Sequence, residues 1–345
     1  MIMTVRVVLG GLLALAVTAC SGIGPGGGRQ EPPPGRHVQT PEGDLTGAAW
    51  LPDGRIYFAR RTGGLGEGPQ IWSVRPQGGD ARQLQLPKVA GCRRTTYRLP
   101  HSLPDGRLGL SRLCETEDVL KDRFDLVAVD PASGAVEVLA PVGRDNPAGA
   151  TWQRGLQRGF VAYFSDFCGS VAAVTRAGVQ RSAGPTTLDG RSWRLDQDFF
   201  EPADADCTPR GRADLPALSA DGKRLLFLAS PESAGVGGER RLEIPWNLYL
   251  QDLPDGQPRA VARGFVKPTG LAVAVDDRSV VVGGQRGGEK GLWRVDLATG
   301  KLGPVAKGNL FDPTFSPDGR HLVVVLRHDA DHAELRVLDT PTGSA

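Results

Sequence analysis

Four short turns of one kind, each leading into an apolar strand, constrain this 345-residue chain more than any other feature. They are Leu51-Pro52-Asp53-Gly54, Leu103-Pro104-Asp105-Gly106, Ser219-Ala220-Asp221-Gly222 and Ser316-Pro317-Asp318-Gly319. Asp-Gly is a hairpin signal, because Gly accepts positive φ and Asp bonds to its own backbone. The strands that follow are Ile56–Ala59, Leu108–Ser111, Leu225–Ala229 and Leu322–Leu326. Repeats of this size are the mark of a solenoid or a propeller, and in such folds function sits in loops carried by a scaffold.

A second repeat sets the count. A third strand followed by a turn ending in Gly occurs at Ile71–Val74, Leu126–Val129, Val171–Val174, Leu248–Leu250, Leu292–Val295 and Leu335–Leu338. The closing glycines, from Gly79 to Gly343, are spaced by 55, 44, 78, 44 and 43 residues. Three intervals match one four-stranded blade, and the two long ones mark insertions. Six copies predict an all-β, six-bladed β-propeller over residues 37–345. The last copy runs out before a fourth strand, so a strand near His37–Thr40 is expected to close the final blade and remove its exposed edge.

Residues 1–19 read as a signal peptide: Arg6 precedes an apolar run from Val7 to Val17, and small residues follow. Val17-Thr18-Ala19-Cys20 resembles a bacterial lipobox, which implies acylation of Cys20. The Gly- and Pro-rich stretch through Arg36 then serves as a flexible tether, residues 20–36. The expected location is extracytoplasmic, with the membrane reached through the lipid alone. A formal charge of +2 supplies no field for nucleic acid, and no nucleic-acid partner is expected.

Pro313-Thr314-Phe315-Ser316-Pro317-Asp318-Gly319 and Pro216-Ala217-Leu218-Ser219-Ala220-Asp221-Gly222 resemble the repeat of TolB-type propellers, and Pro100–Gly106 is similar. The resemblance spans about residues 43–345 and implies the fold; it implies no particular partner.

Cys92, Cys114, Cys168 and Cys207 remain after Cys20, an even number that favours disulfides outside the cytoplasm. The repeat places the start of a blade's first strand and the end of its second on one rim. Cys92 precedes the first strand of blade 2 and Cys114 follows its second, which predicts Cys92–Cys114. The same logic across the insertion predicts Cys168–Cys207. Without any Cys-x-x-Cys, neither zinc nor a redox motif is expected.

Candidate ligand-binding residues are Arg98, His101, Asp214 and Asp312, all at inner strands near the predicted central tunnel. For His101 the plainer alternative is a hydrogen bond to a neighbouring blade. The acidic insertion 184–212 reads as a solvated loop, the sharper alternative being a lid. His328-Asp329-Ala330-Asp331-His332 reads as a polar turn that has metal-ligand chemistry but no fixed spacing. No Gly-x-Ser-x-Gly elbow is present. These features predict a non-catalytic, lipid-anchored propeller that binds a protein or peptide, with no cofactor and no metal. The alternative is a metal-dependent propeller enzyme, lactonase-like or sugar-processing, with its site in the channel. The inner-strand set Arg98, Asp214, Thr269 and Asp312 is thin for a metal and includes a cation.

Overall fold

The computed structural model describes residues 34–62, 68–103, 105–117, 123–142, 219, 223–230, 245–252, 256, 259–329 and 332–340, together with the strands named below between 151 and 218. The predicted signal peptide, Cys20 and the tether up to residue 33 lie outside the described residues. So do Cys168, Cys207 and most of the 184–212 insertion.

Among the described residues the first strand is β1 (Arg36–Val38). A first antiparallel sheet follows, made of β2 (Asp44–Trp50), β3 (Ile56–Arg61), β4 (Gln70–Val74) and β5 (Arg82–Gln83). A second holds β6 (Arg94–Ser102), β7 (Leu108–Glu115), β8 (Arg123–Val129) and β9 (Val136–Val142). A third holds β10 (Thr151–Trp152), β11 (Ala162–Ser165), β12 (Val171–Thr175) and β13 (Gly178–Arg181). Within the predicted insertion lies a separate hairpin, β14 (Thr186–Leu188) and β15 (Arg191–Trp193). A seven-stranded sheet then runs in chain order through β16 (Arg212–Leu218), β17 (Arg224–Ser230), β18 (Trp246–Asp252), β19 (Arg259–Val273), β20 (Ser279–Arg286), β21 (Glu289–Asp296) and β22 (Leu302–Lys307). The final sheet has the order β1, β25 (Ala333–Asp339), β24 (His321–Arg327), β23 (Leu310–Phe315). Here the first strand of the domain pairs with the last, Arg36 opposite Val337 and Val38 opposite Leu335.

The first and last Asp-Gly turns form as their chemistry requires. In the first, Gly54 has φ 80°, its N–H donates to the Leu51 carbonyl (3.0 Å), and Asp53 Oδ1 accepts from the Arg55 N–H (2.9 Å). In the last, Asp318 Oδ1 accepts from both the Ser316 hydroxyl (2.6 Å) and the Arg320 N–H (3.0 Å).

Continuous apolar runs such as Ile56–Ala59 arise because both faces of each sheet are covered. Ile56 and Phe58 pack with Val38, Val323, Val325 and Leu335 of the final sheet. Their alternating neighbours Tyr57 and Ala59 pack on Tyr97, Leu108 and Leu110 of the second. In β24 the alternation recurs, with Val323 and Val325 facing the first sheet and Leu322, Val324 and Leu326 facing Val281 and Leu292. Aromatic residues of third strands pack within the seven-stranded sheet: Trp293 meets Phe265 edge-on at 6.4 Å, and Tyr249 stacks on its ladder partner Phe227 at 5.6 Å.

Cys92 and Cys114 are disulfide-bonded, with Cα atoms 5.3 Å apart. Cys114 lies inside β7, opposite Thr95, and does not follow the strand. The strand runs beyond its apolar stretch because β6 pairs along it as far as Arg94 with Glu115.

Candidate functional site

Five of the inner strands share an irregularity. In β2, β6, β16, β19 and β23 the pairing slips between Thr46 and Ala48, Arg98 and His101, Asp214 and Ala217, Val266 and Gly270, and Phe311 and Thr314. Each slip contains one left-handed residue: Gly47 (φ 62°), Leu99 (55°), Leu215 (49°), Lys267 (49°) and Asp312 (49°). Gly tolerates this state and Asp does so in part, but for Leu or Lys it costs about 1–2 kcal/mol. In four cases Pro follows: Pro100, Pro216, Pro268 and Pro313. Pro has no N–H, so the unpaired bulge position leaves no orphaned donor there.

Neighbouring inner strands hold this geometry in place. The Gly47 N–H donates to Asp312 Oδ2 (3.0 Å), and the Thr314 hydroxyl donates to the Ala48 carbonyl (2.9 Å). The Thr269 hydroxyl donates to the Leu310 carbonyl (2.6 Å). A Cβ at Gly47 would come within 2.9 Å of Pro100 Cδ, so glycine is what lets β2 approach β6. Arg327 ties β24 to β2 through Asp44 (3.0 Å) and the Leu45 carbonyl (3.1 Å).

The predicted residues fall on this band. Arg98 and His101 flank the slip in β6, Asp214 begins the one in β16 opposite Leu228, and Asp312 is itself the left-handed residue of β23. Asp214 is placed by its backbone alone. Burial pushes the Arg98 guanidinium down in pKa, while the charge of Glu115 opposes this. Burial pushes His101 down to about 4. Burial raises the Asp312 carboxyl, while the Gly47 N–H and the charge of Arg327 pull it back. Lys267 occupies the equivalent place in β19 and was not among the predicted residues. Its sequence signal was the X-Pro dipeptide: Leu99, Leu215 and Asp312 each stand six residues before the Asp of an Asp-Gly turn and directly before Pro.

The two histidines of the 328–332 turn are not brought together. His328 Nε2 meets Glu334 Oε1 at 3.2 Å, and the second imidazole on that carboxylate is His37 of β1, at 3.4 Å from Oε2. His332 contributes its backbone N–H to Asp329 Oδ1 (2.8 Å). Among the described residues no three His, Cys, Asp or Glu side chains are grouped to hold a metal ion.

The depressed pKa of His101 makes stability depend on pH. The unfolded chain takes up this proton near pH 6.5, the folded one near 4, so the contribution is complete above about 6.5 and is lost as pH falls towards 4. The full shift corresponds to about 3 kcal/mol. Asp312 has the opposite sign, its raised carboxyl gaining stability on acidification. Urea unfolding of wild type and His101→Gln at pH 7, 5 and 4 is expected to show the variant losing less stability over that interval. Parallel curves would remove the enclosed neutral imidazole.

No protein-family model matches the chain, and no curated protein is similar to it. Solved structures do match. TolB from Acinetobacter baumannii aligns with TM-score 0.56 at 16% identity, over 83% of this chain and 61% of that one. The chain thus spans about three-fifths of that TolB's length. An oligogalacturonate lyase in complex with manganese aligns with TM-score 0.53 at 11% identity, over 88% and 79%. A gluconolactonase from Xanthomonas campestris aligns with TM-score 0.52 at 15% identity, over 88% of both chains. The fold is a TolB-like β-propeller.

Two of these three propellers are enzymes, which corrects the expectation of a non-catalytic protein. That expectation rested on the inner-strand set Arg98, Asp214, Thr269 and Asp312, thin for a catalytic metal and containing a cation. The same scaffold carries lyase and lactonase activity in these neighbours, so the propeller fold does not separate binding from catalysis.

Proposed function

We propose that the chain is a lipid-anchored, extracytoplasmic propeller of six blades, closed by Arg36–Val38, that binds a protein or peptide at the left-handed bulges of its inner strands. The six-blade reading counts the seven-stranded sheet as two four-stranded units sharing β19, a 15-residue strand. The observation that carries the functional reading is the repeated backbone outlier. Each strained position costs on the order of 1–3 kcal/mol, and such strain collects where a protein holds groups for a ligand. Here it sets Lys267 and Asp312 at the left-handed positions of the adjoining strands β19 and β23, with Arg98 beside the left-handed Leu99 of β6, a mixed-charge set suited to a polypeptide.

The test is capture from detergent-solubilised envelopes by wild type and by the double variant Arg98→Ala/Asp312→Asn. Asn retains the acceptor for the Gly47 N–H, so folding is expected to hold. The partner recovered with wild type is expected to fall at least tenfold. Equal recovery would overturn the assignment of the bulges. In the same preparation Cys20→Ala is expected to leave the detergent phase, and its retention there would overturn the anchor.

A second reading, an enzyme acting on a sugar or lactone at the same place, draws on the opposed shifts of His101 and Asp312. Desolvation lowers the imidazole and raises the carboxyl, so each group is held in its neutral form more readily than in water, the form in which a carboxyl can donate a proton and an imidazole can accept one. Turnover of sugar lactones or uronate oligosaccharides that is abolished by Asp312→Asn would favour it.

A further inference from the structure

The Cys92–Cys114 disulfide lies beside a cation. Arg123, at the start of β8 and directly opposite Cys114 in the β7–β8 pairing, places Nη2 at 3.4 Å from Cys114 Sγ and 3.9 Å from Cys92 Sγ. Among the described residues no carboxylate pairs with Arg123, whereas the nearby Glu115 is taken by Arg93 and Arg94. The two sulfurs are unlike in access: Cys114 is 1% exposed, and Cys92 is half-buried at the strand entrance.

We propose that this disulfide is a thiol–disulfide exchange site, open to a dithiol reductant at Cys92 and activated by Arg123 at Cys114. Exchange requires an attackable sulfur and a stabilised leaving thiolate. The reductant's thiolate attacks Cys92 Sγ, the Cys92–Cys114 bond breaks, and Cys114 departs with the electron pair as a thiolate facing the guanidinium. The reductant's second thiol, as thiolate, then displaces Cys92, so the reductant leaves as a disulfide and two electrons pass to the protein. Burial of Cys114 opposes the thiolate; a guanidinium in contact lowers a thiol's pKa by one to several units. The consequence is local to the candidate site: the bond ties the entrance of β6, the strand carrying Arg98 and His101, to β7. Neither cysteine is part of a Cys-x-x-Cys, which is why sequence spacing gave no redox signal.

The experiment is the rate of reduction of the full chain by dithiothreitol at pH 7, read by quenched alkylation and mass spectrometry, for wild type, Arg123→Lys and Arg123→Gln. Arg123→Gln is expected to react at least threefold more slowly, with Arg123→Lys between. Its redox equilibrium is expected to move about tenfold towards the disulfide, or about 30 mV. Captured mixed disulfides are expected on Cys92. Equal rates for wild type and Arg123→Gln, or capture on Cys114, would overturn the proposal. A second measurement does not depend on Arg123 variants folding. In Cys92→Ser, the thiolate absorbance of Cys114 is expected to titrate below the ordinary 8.5 for a free cysteine, and titration at or above it would also overturn the proposal.

Discussion

A chain beginning at Gly43 is expected to melt about 10 °C below the full-length protein. The missing segment contains β1, whose Val38 is fully buried against Val323, Val325, Leu335 and Val337. Burying one such side chain is worth about 1.5–3 kcal/mol, and its loss also exposes part of the faces it covers. The segment also bridges two sheets. Arg36 donates to the Pro76 carbonyl of the first sheet's turn (2.5 Å), and Arg336 of the last sheet donates to the Gly35 carbonyl (2.9 Å). Without β1, β25 becomes an open edge, a template for pairing with another chain. Size-exclusion chromatography is therefore expected to show self-association along with the lowered melting temperature. An unchanged melting temperature would mean that the contacts of β1 contribute nothing to stability.

Phe265→Ala is expected to cost 3–5 kcal/mol, the range for deleting a large aromatic from a core. Phe265 is fully buried near the middle of β19, the strand shared by both halves of the seven-stranded sheet. It lies opposite Trp246 and edge-on to Trp293, one aromatic from each half. Its loss leaves a cavity between two ladders, neither of which can close it without moving the other. Denaturant unfolding measures the effect, with Val138→Ala as a control, because Val138 is 46% exposed and is expected to change stability by less than about 0.5 kcal/mol. A Phe265→Ala loss as small as the control's would show that the two halves are held together elsewhere.

The strands and turns were legible because their signals are local. An Asp-Gly pair before an apolar run specifies a hairpin wherever it occurs, and β3, β7, β17 and β24 begin within a residue of where those runs begin. Cys92–Cys114 was legible for a related reason: Cys92 lies just before β6 and Cys114 near the end of the paired β7, so the ladder alone brings them within bonding distance. The candidate site was legible only in part. Arg98, His101, Asp214 and Asp312 were chosen as polar residues on inner strands, and they lie on strands β6, β16 and β23 beside the pairing slips, whereas Lys267 was not chosen because its place is marked by a backbone angle.

By itself, then, the sequence determined which segments become strands, where the hairpins turn, and which cysteines of the second sheet meet. Those outcomes depend on period-two patterning, on glycine's freedom at positive φ, and on separations of a few residues. Only the tertiary structure decided that Leu99, Leu215 and Lys267 turn left-handed, since none of these residues favours that state alone. Packing of the kind that presses Gly47 against Pro100 imposes it. Only the tertiary structure decided which way the pKa values of His101 and Asp312 shift, because desolvation depends on what surrounds a group, and those surroundings come from strands distant in the chain.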